Sequence, residues 1–183
     1  IHELNSAVAK ADAGNVDNDS GAPHNWDEGW AFFHGPDEDW SCSPAYTMKK
    51  RGADFSTTTN DVSNALTASE AAMVSGLAAL QASDADGYNA AVDTVMKNVI
   101  ITYSQAVLKY TYKMDSNDTA EKYQAEGYAF WKTMEAYAAP YTADACYNNK
   151  THTMSYIGAG KNASNCDSFQ WYENTTMHDG SNY

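Results

Sequence analysis

The chain has 183 residues and carries 24 acidic against 11 basic side chains, which gives a net charge of −13 at pH 7. This charge excludes a nucleic-acid-binding function, because an acidic surface repels phosphate. No run of apolar residues in the sequence approaches the roughly 20 that a transmembrane helix needs, so a membrane span is excluded as well.

The apolar residues are of an unusual kind. Only 22 residues are Leu, Ile, Val or Phe, which together with the high charge is a composition often found in disordered chains. The chain also has 29 Ala, which favour helices, and 23 aromatic residues, which each bury about 150–250 Å². We therefore expect a folded core in which aromatic side chains fill the spaces between closely packed helices faced with Ala and Gly.

Hydrophobic spacing and Pro or Gly stop signals predict an all-α protein. In chain order, the predicted helices are residues 1–13, 23–33, 44–55, 61–82, 88–114 and 118–139, the last ending at Pro140. An acidic loop joins the first two, an acidic turn covers Asp37 to Ser43, and a polar loop covers residues 56–60. Short connections predict an antiparallel helical bundle.

The sequence changes character after the last long helix. From Tyr141 onward it is polar and rich in Tyr and Asn, and no stretch shows sustained strand alternation. We expect a helical domain over residues 1–140 and a loop-rich, glycosylated C-terminal segment over 141–183, with one short helix near residues 167–172.

Cysteines and glycosylation sequons indicate an extracellular compartment. Cys146 and Cys166 bracket a polar stretch, and a disulfide between them would contribute about 3 kcal/mol. The alternative is that the three cysteines are unrelated buried thiols. If Cys146 and Cys166 form the disulfide, Cys42 is not part of it. Five Asn-x-Ser/Thr sequons predict N-linked glycans on a secreted protein, at Asn18, Asn117, Asn149, Asn162 and Asn174.

One pattern, Glu-Gly-aromatic-Ala-Phe-aromatic, occurs twice, at residues 28–33 and 126–131. It can be a packing device repeated in two facing helices, or it can place Glu28 and Glu126 together as in carboxylate metal bundles. His24 lies on the same helix face as Glu28.

His2 and Glu3 add a second imidazole and a third carboxylate near the start of the chain. The five candidate ligands Glu28, Glu126, His24, Glu3 and His2 suit iron, manganese or zinc better than calcium. The alternative is that the glutamates are solvated or capping residues and that the histidines are structural.

Lys49, Lys50 and Arg51 form a basic cluster in this acidic chain. It is either a solvated helix face or an anion site for carbonate or a carboxylate, with Arg51 as the anion-binding residue. Motifs of nucleophilic and phosphate-binding enzymes are missing from the sequence. We therefore expect no enzymatic activity, with an oxidoreductase at a dinuclear site as the remaining enzymatic alternative.

Several segments resemble the Fe-assimilating, high-CO2-inducible periplasmic proteins of green algae, over roughly residues 1–140. The segments are His2–Leu4, Gly21–Phe33, Lys50–Arg51, Asp54–Phe55, Asn98–Tyr110 and Ala125–Trp131. The Cys146 and Cys166 pair is similar in character to the C-terminal cysteines of that family. Family members carry a further helical region before the segment that matches His2–Leu4, so we expect a processed or partial product, or a shorter member.

The resemblance implies a secreted, helical protein of the algal cell surface that assists iron uptake. Together with the sequons, it predicts a glycoprotein of the periplasm or cell wall. Related phytotransferrins are thought to bind ferric iron with carbonate, which makes iron the expected cofactor and carbonate a candidate companion. The alternative, from a different class, is a structural glycoprotein of the cell wall or of an extracellular filament that self-associates without metal.

Overall fold

The computed structural model describes residues 1–36, 42–116, 120–142, 145–148 and 153–156. The chain divides into two compact units, of which the first is Ile1–Gln105 and the second begins at Ala106. Within the described residues the protein is mainly helical, which confirms the predicted class.

Helices make up most of the described residues in both units. In chain order they are α1 (His2–Asp12), α2 (Ala22–His34), α3 (Pro44–Asp54), α4 (Asn64–Gln81), α5 (Ala85–Ser116) and α6 (Ala120–Thr142). Short antiparallel hairpins are formed by β1 (Thr58–Thr59) with β2 (Val62–Ser63) and by β3 (Ala145–Asn148) with β4 (Thr153–Tyr156). The four strands were not predicted, because each is too short to show alternation.

The predicted helix start at Asp61 is wrong by three residues. Asn60 and Asp61 both have positive φ angles, of 50° and 64°, and form the two-residue turn of the β1–β2 hairpin. Such a turn needs positive φ at both central residues, which Asn and Asp tolerate. The helix begins instead after Ser63, whose hydroxyl accepts a hydrogen bond from the Leu66 amide.

The predicted end of α6 at Pro140 is also wrong, since the helix continues to Thr142. Pro140 lies in the last turn, where the missing N–H removes one hydrogen bond only. Beyond α6 the predicted loop contains the β3–β4 hairpin. The predicted domain boundary at residue 140 stays a prediction. The predicted short helix at 167–172 lies wholly outside the described residues, and the predicted acidic turn from Asp37 to Ser43 lies mainly outside them.

The first two helices form an antiparallel hairpin. Glu3 near the start of α1 meets Asn25 in α2, and Lys10 near the end of α1 donates to the Ser20 carbonyl just before α2. A Cβ on Gly29 would lie 2.8 Å from the Leu4 side chain. Glycine at this position therefore permits the two helices to approach closely.

Trp26 is the centre of the core in the first unit. It is 1% exposed, and its indole N–H donates to the Met73 carbonyl at 2.9 Å. A Cβ on Gly76 would lie 2.2 Å from the Trp26 ring and 2.8 Å from the Ala91 methyl. An aromatic ring thus lies against Gly and Ala of α4 and α5, which confirms the predicted type of core.

The second unit uses the same packing device. Tyr110 stacks on Tyr123 and on Phe130, with ring centroids 6.1 and 5.8 Å apart. A Cβ on Gly127 would lie 3.3 Å from the Tyr110 Cβ. A bulky residue of the preceding helix therefore packs against each glycine of the repeated pattern, Leu4 against Gly29 and Tyr110 against Gly127.

A short hydrogen bond ties α1 to α5. The Tyr88 hydroxyl donates to Asp12 at 2.5 Å. This bond, together with desolvation and the charges of Asp12 and Asp84, raises the pKa of Tyr88 above its ordinary value. The neutral form of Tyr88 is therefore favoured in the folded state.

We expect Tyr88→Phe to lower the melting temperature at neutral pH, with the difference from wild type disappearing in alkali. The raised pKa means that the stabilisation is present below the unfolded value of about 10 and is lost as the pH rises through the folded-state pKa. Thermal unfolding between pH 7 and 12 measures this, with the exposed Tyr112→Phe as the control. A difference that does not change with pH would show that ionisation of Tyr88 is unimportant.

Candidate functional site

Three polar side chains converge where α1 and α2 cross. The Asn25 amide nitrogen lies 2.6 Å from Glu3 Oε2 and 3.4 Å from Glu28 Oε2, so one amide group donates to both carboxylates. Asn25 is 9% exposed, whereas Glu3 and Glu28 are partly exposed. Two of the predicted ligands, 25 residues apart in the sequence, are thus held side by side.

His24 extends this cluster toward solvent. Its Nε2 lies 3.5 Å from Glu28 Oε1, and both side chains are nearly half exposed, at 47% and 45%. The i, i+4 spacing on α2 brings them together, as predicted. We call Glu3, His24, Asn25 and Glu28 the α1–α2 cluster.

The side chains of the α1–α2 cluster are of types that iron takes as ligands. Two carboxylates and one imidazole are ligands that non-haem iron takes, and the exposed side leaves positions for water or an anion. In the described part of the chain, however, no three His, Cys, Asp or Glu side chains already lie in a metal-holding arrangement. The Asn25 amide nitrogen lies between the carboxylates, so a metal would need to displace it.

The other two predicted ligands, His2 and Glu126, are not among the residues that make these contacts. His2 is exposed in the first turn of α1. Glu126 belongs to the second unit, where its Oε1 lies 3.9 Å from the Lys122 ammonium. Lys122 precedes Glu126 by four residues, as His24 precedes Glu28, so the repeated pattern carries an ammonium where α2 carries an imidazole. That Glu126 shares a site with Glu28 stays a prediction.

The basic cluster is only partly solvated. Arg51 is 5% exposed, and its Nη2 lies 2.9 Å from Asp54 Oδ2. Lys49 and Lys50 are exposed, and the Lys50 ammonium lies over the Tyr46 ring. Arg51 therefore already contacts one carboxylate, and its binding of a further anion stays a prediction.

The predicted modification sites are described only in part. Asn18 is exposed in the loop between α1 and α2. The sequons at Asn117, Asn149, Asn162 and Asn174 lie outside the described residues, as does Cys166. The disulfide to Cys146 and the glycans stay predictions; Cys42 is exposed.

Asn25 is the residue that the sequence analysis missed. It lies three residues before Glu28, which places both on one face of a helix. The three-residue spacing between Asn25 and Glu28 is visible in the sequence. An Asn beside a His, however, is only weak evidence for a binding site. Its position against Glu3 depends on how α1 packs on α2.

Comparison with known protein families gives a match over most of the chain. Residues 1–158 match the profile of the Fea1 family, described as low iron-inducible periplasmic protein. The match confirms the resemblance seen in the sequence, extends it beyond residue 140, and confirms the periplasmic location. Searches of curated proteins and of solved structures each found no match. None of the described helices is both long and apolar enough to cross a membrane.

Proposed function

Because the chain belongs to the Fea1 family of low iron-inducible periplasmic proteins, we propose that it assists iron acquisition by binding iron outside the cell membrane. Its role in this proposal is to bind and carry the metal, not to catalyse a reaction. Iron is therefore the cargo of the protein, and it must both bind and leave.

The observation that carries the proposal is the pair of carboxylates in the α1–α2 cluster. Two like charges held next to each other repel, and they favour a cation or a hydrogen-bond donor between them. In the structure the Asn25 amide supplies the donor. A metal ion would satisfy both carboxylates more strongly, and His24 would add a nitrogen ligand.

The chemistry of these ligands favours ferric iron. Carboxylate oxygens are hard donors, and their negative charge is stabilised best by a highly charged cation. Three protein ligands leave further positions open, which an anion such as carbonate can fill. We therefore expect bicarbonate to strengthen ferric binding; that Arg51 holds this anion stays a prediction from the sequence.

Titration of the purified protein with ferric citrate, with and without bicarbonate, tests the proposal. Equilibrium dialysis with iron measured by atomic absorption gives the stoichiometry without relying on a spectroscopic signal. We expect saturable binding of one ferric ion per chain, and tighter binding with bicarbonate. Absence of saturable binding under both conditions would contradict iron binding and favour a structural role.

A further inference from the structure

A small cavity, which we call the α2–α4 pocket, opens between α2 and α4 in the first unit. Its volume is about 260 Å³, slightly below the roughly 300–1,000 Å³ of pockets that hold drug-sized ligands. The pocket therefore suits a small ligand. The residues that line it, first from α2 and then from α4, are Trp26, Asp27, Trp30, Met73, Val74 and Leu77.

The walls of the pocket are held in place by the core. Trp26 is 1% exposed, and its indole N–H already donates to the Met73 carbonyl. Trp30 is partly buried, and its ring stacks on the His34 ring with the centroids 5.3 Å apart. Both indole rings are thus fixed before any ligand arrives, as is usual for small-molecule sites.

Asp27 carries the only charge among the lining side chains. It is exposed, and among the described residues no hydrogen bond or ion pair holds its carboxylate. The net charge of −13 adds to the negative potential around it. A ligand complementary to the pocket is therefore apolar over most of its surface and carries a positive charge.

The kind of cation follows from what the lining lacks. The Asp27 carboxylate is the only strong hydrogen-bond acceptor among the lining side chains. A primary ammonium has three donors, and those that do not reach Asp27 would lie against hydrocarbon at a cost in free energy. A metal ion needs several oxygen or nitrogen ligands, which one carboxylate does not supply. A quaternary ammonium has no N–H groups to satisfy, and indole rings attract such ions.

We propose that the α2–α4 pocket binds a small quaternary ammonium ion. Its charge lies beside the Asp27 carboxylate, and its methyl groups lie against the apolar walls formed by Trp30, Val74 and Leu77. The pocket shares no residue with the α1–α2 cluster, so this site is independent of the proposed iron site.

Isothermal titration calorimetry of the iron-free protein tests the need for charge. The probes are choline and its neutral isostere, in which a tert-butyl group replaces the trimethylammonium group. We expect one choline to bind per chain, about tenfold more tightly than the neutral alcohol. Asp27→Asn should remove this preference. Asp93→Asn, the same change at an exposed position of α5, should bind choline as wild type does.

A second pair of variants locates the ligand. Val74 lines the pocket but is 69% exposed, so Val74→Lys leaves the core unchanged and adds an ammonium among the lining residues. This variant should lose choline binding, because the new cation competes for Asp27 and occupies the pocket. Ser75→Lys makes the same change in charge at the next exposed position of α4, outside the lining. It should retain choline binding.

Three results would overturn the proposal. Equal affinity for choline and the neutral alcohol would show that the pocket selects apolar shape and not charge. Absence of choline binding up to tens of millimolar would show that quaternary ammonium ions are not its ligands. Equal losses in Asp93→Asn or Ser75→Lys would show that choline is held by the net charge of the protein and not in the pocket.

Discussion

Glu3→Gln together with Glu28→Gln is expected to abolish saturable ferric binding. Loss of a group that merely hydrogen-bonds a metal ligand already costs about 10–100-fold in affinity, so loss of two charged ligands should cost more than about 100-fold. Each Gln keeps a carbonyl oxygen that can accept from Asn25. The variant should therefore stay folded, and removal of the repulsion between the carboxylates should leave its melting temperature equal or higher.

Equilibrium dialysis of this double variant needs a control with the same change in charge. Glu70→Gln together with Glu121→Gln serves, since these glutamates lie in α4 and α6 outside the α1–α2 cluster. The control should bind iron as wild type does. If Glu3→Gln/Glu28→Gln still binds iron tightly, the iron site lies elsewhere. If the control loses as much affinity, iron binds through the net charge of the protein and not through these two glutamates.

A parallel variant, Glu126→Gln, tests whether the two copies of the repeated pattern share one site. Glu126 lies near Lys122 in its own unit, so it already has a cationic neighbour. Unchanged ferric affinity would confine the site to the first unit. A loss comparable to that of Glu28→Gln would instead support the site predicted between the two copies.

Gly76→Ala is expected to destabilise the first unit by about 1–2 kcal/mol. The new Cβ would lie 2.2 Å from the Trp26 ring and 2.8 Å from the Ala91 methyl. The ring cannot withdraw easily, because it is 1% exposed and hydrogen-bonded to the Met73 carbonyl. Overpacking typically costs about 1–3 kcal/mol, and here it outweighs the roughly 1 kcal/mol that Ala gains over Gly in a helix.

Chemical denaturation of the purified protein measures this effect. The control is Ser75→Ala, which adds the same residue one position earlier on the exposed side of α4. That variant should be neutral or slightly more stable, because it gains helix propensity without a buried contact. If Gly76→Ala is as stable as Ser75→Ala, α2 and α4 do not pack as closely as the structure shows.

The sequence predicts much of this fold because its helices have local signals. Pro23 and Gly35 correctly predict where α2 begins and ends, and Pro44 correctly predicts the start of α3. These predictions succeed because cap and stop residues act within one turn of the helix. The β1–β2 hairpin escapes prediction because Asn60 and Asp61 also fit a polar loop. The helix end predicted at Pro140 is wrong because a proline in the last turn removes only one backbone hydrogen bond.

The candidate site was predictable only in part, for a similar reason. The His24–Glu28 pair follows from i, i+4 spacing, which is a property of one helix. The contact between Glu3 and Asn25 depends on how α1 packs on α2, and Gly29 permits that close approach. No local pattern records the distance between two helices, so the role of Asn25 becomes visible only in the structure.

The most direct test of the central claim is the position of iron in the protein. Crystals grown with ferric citrate, measured above and below the iron absorption edge, give an anomalous difference map that locates the metal without assumptions about its ligands. We expect one peak at bonding distance from the carboxylates of Glu3 and Glu28, with His24 adjacent. A peak at Glu126 or at another site, with none in the α1–α2 cluster, would contradict this account.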